Sequence, residues 1–264
     1  MMRNKTSIGI LCAVLAAFLF VTARPAPAAD NKPPMLLAAA ASLRLAFDND
    51  LIPLYLARNP GLKIEATYDS SGKLQAQIEN GMEADVFMSA APKQMRALLE
   101  KGFVVQDSVM DLLENKIVLI CPAAMATAPV AGFADADKAA SIAVGDPDSV
   151  PAGQYAREVF TSLGNWDKIL AKASLGTNVT EVLSWVSMAS ADVGVVYATD
   201  AASTDQVRVI AEAPEGSLKN KVIYPVGRLE GGKRGDAAAG FILFLSSPEA
   251  LAIFEKHGFT AARQ

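Results

Sequence analysis

The chain has few of the residues on which most metal-binding and catalytic sites are built. Its 264 residues include one histidine, His257, and two cysteines, Cys12 and Cys121. A zinc site needs a cluster of such side chains, and a serine nucleophile needs a histidine, a lysine or another base beside it. The G-x-S-x-G nucleophile motif is also missing. These absences argue against a metalloenzyme and against a histidine-dependent hydrolase.

Residues 1–28 indicate a secretory signal peptide. Arg3 and Lys5 precede the apolar run Ile8–Val21, and the segment ends in the small residues Ala26-Pro27-Ala28. The apolar run is too short to span a bilayer comfortably. We therefore expect cleavage near Ala28 and a periplasmic mature protein.

Acidic residues outnumber basic ones, which argues against nucleic acid as a partner. The full chain has 24 Lys and Arg against 28 Asp and Glu, and the signal peptide holds three of the basic residues and no acid, so the mature charge is −7. Nucleic-acid binding requires basic patches. Cys12 leaves with the signal peptide, and Cys121 remains in the apolar run IVLICPA, where we expect a buried small hydrophobe without a disulfide.

Strand and helix signals alternate along the mature chain. At four places a strand-like run is followed by a small polar turn and an amphipathic helix; the turns contain Ser42, Ser71, Ala152-Gly153 and Asn178-Val179. Ser42 is predicted to cap a helix that Pro53 should kink or end. The alternation predicts an α/β fold with parallel sheets covered by helices. Ligands of such folds bind where strands end and helices begin.

The turns themselves predict a site for a small anion. The segment VGDPDSVPAGQYA, Val144 to Ala156, has no histidine, cysteine or lysine, so any site there uses backbone groups. Helix N-termini have unpaired N–H groups and a partial positive charge, and they bind anions without a cationic side chain. Arg44 and Lys73 lie in first helical turns, where a cation opposes the helix dipole. A nearby bound anion would explain both positions, and so would plain solvent exposure.

Several segments together resemble the molybdate-binding periplasmic proteins of ABC transporters. They are AAASLRLAF, YDSSGKLQAQIENGMEADVFMSA, VGDPDSVPAGQYAREVF, SLGTNVTEVL, DVGVVYATDA and YPV, and they cover nearly the whole mature chain in the family's order. The resemblance implies two lobes that contain parallel sheets, joined by a hinge, with an oxyanion in the cleft between them. We place one lobe at residues 35–118 plus 213–264 and the other at residues 119–212.

The resemblance also implies the ligand, its contacts and the partner. The ligand is molybdate or tungstate, which share charge and shape, and the partner is the membrane permease of a transporter. The implied contacts are the hydroxyls of Ser42, Ser71 and Tyr197 and the backbone N–H groups of Ala152 and Val179. Gly72 and Lys73 stand where many relatives have small hydroxyl residues, and TNVTE around Val179 is less typical. We expect a monomer with no metal ion, no organic cofactor and no catalytic residue.

Three other functions stay open from the sequence. Another tetrahedral oxyanion such as sulfate would meet the same donors, whereas protonated phosphate would favour an acceptor. His257 suits a structural place at a helix end, so a hydrolase would have to pair Ser71 with Lys73. Two residues apart on a helix, these side chains do not face each other. The effector domain of a cytoplasmic regulator would need a DNA-binding module, and none is visible.

Overall fold

The computed structural model describes residues 32–263, so the predicted signal peptide lies outside the described residues. Within them the chain forms eleven strands: β1 (Met35–Ala40), β2 (Ile64–Asp69), β3 (Val86–Met88), β4 (Met110–Asn115), β5 (Ile117–Pro122), β6 (Ile142–Gly145), β7 (Ala173–Gly176), β8 (Val193–Tyr197), β9 (Val207–Glu212), β10 (Val222–Arg228) and β11 (Thr260–Ala261).

The strands form two mixed sheets. One has six strands in the order β11-β4-β10-β3-β1-β2, and the other has five in the order β7-β6-β8-β5-β9. Strand β1 is parallel to β2 and β3, and β6 is parallel to β7 and β8. By contrast, β10 and β5 are each antiparallel to both neighbours. We call the six-stranded sheet with its helices the first lobe, and the five-stranded sheet with its helices the second lobe.

The chain passes between the sheets twice. It leaves the first lobe at Lys116, between β4 and β5, and returns through residues 213–221, between β9 and β10. The lobe boundaries expected from the sequence fall close to both crossings, and their role as the limits of two moving bodies stays a prediction.

Helices connect the strands. The longer α-helices among the described residues are Ile52–Arg58, Ser71–Glu79, Pro92–Glu100, Pro151–Ser162, Val179–Ser187, Gly235–Leu245 and Pro248–Lys256. Shorter α-helical segments are Arg44–Ala46, Trp166–Leu170 and Ala198–Ala202; the 3-10 turns are Ala41–Leu43, Gln106–Ser108 and Phe133–Lys138; and Phe47–Leu51 is π-helical.

The helix that starts at Val179 is capped by Asn178 and Glu181. The Asn178 side chain accepts a hydrogen bond from the Glu181 N–H at 3.0 Å, and the Glu181 carboxylate accepts one from the Thr177 N–H at 2.6 Å. Two helices are followed by a glycine in the left-handed region: Gly81 and Gly164 have φ values of 94° and 74°. Such left-handed conformations suit glycine just after a helix.

The expected cap of the first helical segment is wrong, and so is one of the two outcomes expected at Pro53. Ser42 is not an N-cap, because the chain enters a 3-10 turn one residue earlier and the turn has no side-chain cap. Pro53 does not end the helix, which runs on to Arg58 after the π-helical turn Phe47–Leu51. A π turn adds a residue to the helix, and the buried position accordingly falls on Tyr55 rather than on Leu54.

The hydrophobic core extends through both lobes. In the first lobe the Phe47 ring lies 6.1 Å from that of Phe241 and 5.9 Å from that of Phe254. Cys121 is buried in β5 with a free thiol, as expected. Among residues 32–263 no single helix is long and apolar enough to cross a membrane; Gly235–Leu245 and Pro248–Lys256, bent by 66°, reach that length and composition only as a pair.

Hydrogen bonds within the turn after β6, and a glycine in the helix that follows, determine the shape of this turn. The Asp146 carboxylate accepts hydrogen bonds from the Asp148 N–H at 3.1 Å and from the Ser149 hydroxyl at 2.8 Å. A Cβ atom on Gly153 would lie 2.0 Å from the carbonyl oxygen of Gly145. The first turn of the helix Pro151–Ser162 therefore packs directly on the end of β6, which only glycine at position 153 permits.

We expect Gly153→Ala to destabilise the protein strongly, since the contact partner is backbone that cannot rotate away. Strained core substitutions of this kind typically reduce the free energy of unfolding by about 1–3 kcal/mol, and occasionally more. Urea denaturation measures the change. Gly231→Ala is the matched control, because no atom lies within 4 Å of a Cβ there. Equal stability of the two variants would contradict this account of the turn.

Candidate functional site

A small cavity lies where the two lobes meet. Its volume is about 10 Å³. The first lobe contributes Ala40, Ala41, Ser42, Asp69, Ser70, Ser71 and Ala90, and the second lobe contributes Val150, Pro151, Ala152, Val179 and Tyr197. The structure thus brings together all five residues expected to bind a ligand, from four separate turns and the end of β8, although their role as ligands stays a prediction.

Ser71 has a hydroxyl proton available for a ligand. Its side chain is fully buried, and its oxygen accepts a hydrogen bond from the Ala90 N–H at 3.0 Å. The helix is capped by the preceding residue, Ser70, whose oxygen accepts from the Lys73 N–H at 3.4 Å. Because Ser70 does the capping and Ala90 supplies a donor, the Ser71 O–H group is left to donate into the cavity.

Ser42 is oriented by a chain of hydrogen bonds that begins between the lobes. The Lys116 N–H donates to Asn115 Oδ1 at 2.8 Å, which fixes the orientation of the Asn115 amide. Asn115 Nδ2 then donates to the Tyr224 hydroxyl oxygen at 3.2 Å and to Thr199 Oγ1 at 2.9 Å.

The direction of the hydrogen bond between Ser42 and Tyr224 determines whether the Ser42 proton is available to a ligand. Tyr224 is fully buried and its hydroxyl oxygen lies 3.0 Å from Ser42 Oγ. A hydrogen bond in either direction fits this distance; when the Tyr224 hydroxyl donates, Ser42 Oγ is its acceptor. The Ser42 proton then points away from Tyr224 and is available in the cavity. Sequence reasoning missed Asn115 and treated Tyr224 only as part of the YPV segment.

The second lobe contributes backbone donors. Ala152 and Val179 lie in the first turns of the helices Pro151–Ser162 and Val179–Ser187, where N–H groups have no partner within the helix. Neither N–H has an acceptor elsewhere among residues 32–263. Tyr197 differs, because its hydroxyl donates to the Ala90 carbonyl at 3.3 Å. That O–H group must turn before it can serve a ligand.

No lysine, arginine or histidine lines the cavity. Arg44 lies over the Tyr68 ring, with its guanidinium carbon 5.1 Å from the ring centre. Lys73 Nζ lies 3.5 Å from Asp69 Oδ1. Both cations of the first helical turns are therefore held outside the cavity. The one carboxylate in the lining, Asp69, also accepts from the Ser70 N–H at 2.7 Å.

Burial keeps the tyrosines near the cavity protonated. Burial, the largest cause, raises the pKa of Tyr197 and of Tyr224 well above the ordinary value. Burial also raises the pKa of Asp200 to about 7, although the Tyr197 N–H donates to its carboxylate at 3.1 Å. The tyrosines can therefore act as hydrogen-bond donors, and near neutral pH Asp200 is partly uncharged.

The chemistry of the cavity is that of an anion site made of neutral donors. Two hydroxyls and two backbone N–H groups face one small space, in which the Asp69 carboxylate is already engaged by the Ser70 N–H and by Lys73. A buried donor without an acceptor is unfavourable by about 1–3 kcal/mol. A bound anion supplies the missing acceptors. No group of three or more histidine, cysteine or acidic residues that could hold a metal ion occurs within residues 32–263.

Comparison with known proteins identifies the family of this chain. Residues 35–260 match the family model described as bacterial extracellular solute-binding protein, and the chain belongs to that family. Its two lobes form the two-lobed fold of periplasmic binding proteins.

Three similar proteins are named for transport. A putative ABC transporter substrate-binding lipoprotein, YvgL, of Bacillus subtilis is 36% identical over 98% of this chain and 100% of its own length. The molybdate-binding protein ModA of Haemophilus influenzae is 37% identical over 78% of this chain and 82% of its own. The substrate-binding domain of a putative molybdenum ABC transporter from Clostridium difficile is 37% identical, with a TM-score of 0.66, over 87% of this chain and 99% of its own.

We expect Asp200 to make stability fall as the pH rises from about 4 to 7. The raised pKa means that the folded protein holds a proton that the unfolded chain has released, so the stabilising effect of that proton is present at low pH and is lost as the pH approaches 7. The slope from one such group reaches at most about 1.4 kcal/mol per pH unit. Asp200→Asn keeps an acceptor for the Tyr197 N–H and removes the titration.

Urea denaturation of both proteins between pH 4.5 and 8 provides the measurement. The variant should gain stability relative to the wild type as the pH rises. Parallel stability curves would show that Asp200 has an ordinary pKa.

Proposed function

We propose that this protein captures molybdate outside the cytoplasm and delivers it to the membrane permease of an ABC importer. The observation that carries the proposal is the set of neutral donors from Ser42, Ser71, Ala152 and Val179 around one interlobe cavity. The donor set suits a tetrahedral oxyanion, and the similar proteins named for molybdate or molybdenum favour molybdate. Tungstate has the same charge and shape, so it is proposed as a second ligand.

The proposed cycle involves motion of the two lobes. We assign residues 35–118 plus 213–264 to one body and residues 119–212 to the other, with the crossings near Lys116 and residues 213–221 as the hinge. The cavity is close to the lower limit for one water molecule. An oxyanion therefore enters when the lobes part, and the hydroxyls turn outward as the lobes close on it. The closed form is the one that the permease would recognise.

The proposed protein is a monomeric carrier and not an enzyme. The Ser71 oxygen accepts from a backbone N–H, and the nearest lysine, Lys73, is paired with Asp69. Lys73, the base that the sequence offered for Ser71, is therefore engaged elsewhere. We also propose that the mature protein is periplasmic and begins after cleavage near Ala28.

Calorimetric titration of the ligand-free protein with molybdate, tungstate, sulfate and phosphate tests the function. We expect tight binding of molybdate and tungstate, and retention of molybdate against a hundredfold excess of sulfate. The oxygens of the smaller sulfate cannot reach all the donors of a cage sized for the larger ions, and each underpaired donor weakens binding by about 1–3 kcal/mol. Displacement by sulfate would make sulfate the leading ligand.

Substitution of the two serines tests the site. Ser42→Ala and Ser71→Ala should each weaken molybdate binding by about 1.5–3 kcal/mol, the usual value for a hydrogen bond to a charged group. The exposed Ser190, outside the cavity lining, is the matched control for serine-to-alanine exchange. Titration curves that match the wild type for both cavity variants would reject the assignment of these ligands.

The hydrogen-bond chain from Asn115 generates a separate prediction. Tyr224→Phe removes the hydroxyl that is hydrogen-bonded to Ser42, and we expect molybdate binding to weaken by about 0.5–1.5 kcal/mol, the net value of one neutral hydrogen bond. The effect acts through Ser42, so a double-mutant cycle should show coupling: in a Ser42→Ala background, Tyr224→Phe should change the affinity little. Additive effects would mean that Tyr224 influences the site by another route.

A further inference from the structure

The two lobes touch through backbone beside the cavity. The Gly72 N–H, in the first turn of the helix Ser71–Glu79, donates to the Ser149 carbonyl in the turn after β6, at an N···O distance of 3.0 Å. A Cβ on Gly72 would lie 2.3 Å from that oxygen and 2.8 Å from Ser149 Cα. Any residue other than glycine would therefore collide with the backbone of the opposite lobe.

This contact lies next to donors from both lobes. Gly72 follows Ser71, and Ser149 precedes Val150, Pro151 and Ala152 in the cavity lining. The spacing between Gly72 and Ser149 thus sets the spacing between the Ser71 hydroxyl and the Ala152 N–H. An N···O distance of 3.0 Å is an ordinary hydrogen-bond length, so the lobes cannot approach further here without repulsion.

Side-chain hydrogen bonds also cross between the lobes: the Tyr197 hydroxyl donates to the Ala90 carbonyl at 3.3 Å, and Asn115 Nδ2 donates to Thr199 Oγ1 at 2.9 Å. Asn178 Nδ2 lies 3.5 Å from Asp69 Oδ1, which is long for a hydrogen bond. The Ser149 side chain is not involved in the Gly72 contact, because its hydroxyl donates to Asp146 within its own turn. The contact therefore depends on the absence of a side chain at position 72 and on a rigid turn opposite it.

We propose that Gly72 is a positioning residue that determines how far the lobes close and so fixes the size of the anion cage. The inference rests on the proposed function, since the cage is that of the oxyanion site. The Gly72–Ser149 bond both holds the closed state and stops it at one separation. With alanine at position 72, the lobes must stay about 1 Å further apart there, because ordinary contact of a Cβ begins near 3.4 Å rather than at 2.3 Å. Donors from opposite lobes then no longer reach one anion together.

The test compares wild type, Gly72→Ala and the control Gly231→Ala with sodium molybdate. Calorimetry gives the Kd, stopped-flow fluorescence gives the association and dissociation rates, and amide hydrogen exchange by NMR reports on residue 72. We expect Gly72→Ala to raise the Kd about 10- to 100-fold, which corresponds to the loss of one hydrogen bond to the anion. The increase should come from faster dissociation, because only the closed state is affected.

The hydrogen-exchange rate of the residue 72 amide reports on lobe closure, and a general loss of stability would not produce the same change. In the wild type, saturation with molybdate should slow its exchange, since the N–H is bonded to Ser149 only when the lobes are closed. In Gly72→Ala the amide should exchange fast even at saturation, while the free energy of unfolding stays close to that of Gly231→Ala.

The outcomes separate the inference from the function. If wild type does not bind molybdate, the proposed function fails. If wild type binds and Gly72→Ala has the same Kd, or if the wild-type amide gains no protection, the function stands and the role of Gly72 is refuted.

Discussion

The site depends on neutral hydrogen-bond donors that the two lobes contribute together. The Ser42 and Ser71 hydroxyls and the Ala152 and Val179 N–H groups converge on a space too small for much water. Such donors are unfavourable when they are buried and unpaired, so a closed, ligand-free cavity is a strained arrangement. Since each lobe holds only part of the set, an acceptor that satisfies all of them also favours contact between the lobes. In the proposed cycle, binding and closure are therefore two descriptions of one equilibrium.

Neutral donors suit this task better than fixed positive charge. A buried lysine or arginine would be an uncompensated charge whenever the anion is absent, and such burial is strongly unfavourable. Helix N-termini supply a partial charge that remains partly solvated in the open state. The full charges stay at the rim, where Lys73 is paired with Asp69 and Arg44 lies against Tyr68. Burial likewise keeps Tyr197 and Tyr224 in the protonated form that can donate.

Much of this fold could be predicted from local patterns. The helix starts at Ser71, Pro151 and Val179 follow from capping residues and from proline in the first turn, and the structure has helices beginning at those residues. The Ser42 cap and the end at Pro53 were wrong because both rules assume a regular α-helix, whereas this segment has a 3-10 turn and a π turn. No local signal in the sequence distinguishes those turns from a regular α-helix.

Only those parts of the site that lie within a single turn could be predicted from the sequence. The four turns are visible in the sequence, and the resemblance to one family indicated that they form a single site. The support for Ser42 was not predictable, because Asn115 and Tyr224 lie 109 positions apart in the chain and meet through the pairing of β4 with β10. The requirement for glycine at position 72 is similarly invisible, since the obstacle is the backbone of a turn 77 residues further along the chain.

The position of β10 has a consequence for the order of assembly. This strand lies between β3 and β4, and β4 and β11 are joined to the rest of the six-stranded sheet only through it. Every strand of the five-stranded sheet, by contrast, lies between Ile117 and Glu212. When the chain has been synthesised up to residue 212, every strand of the second lobe is present. The six-stranded sheet of the first lobe still lacks β10, the strand that connects β4 to β3. The lobe that begins the chain is the last whose sheet can be completed.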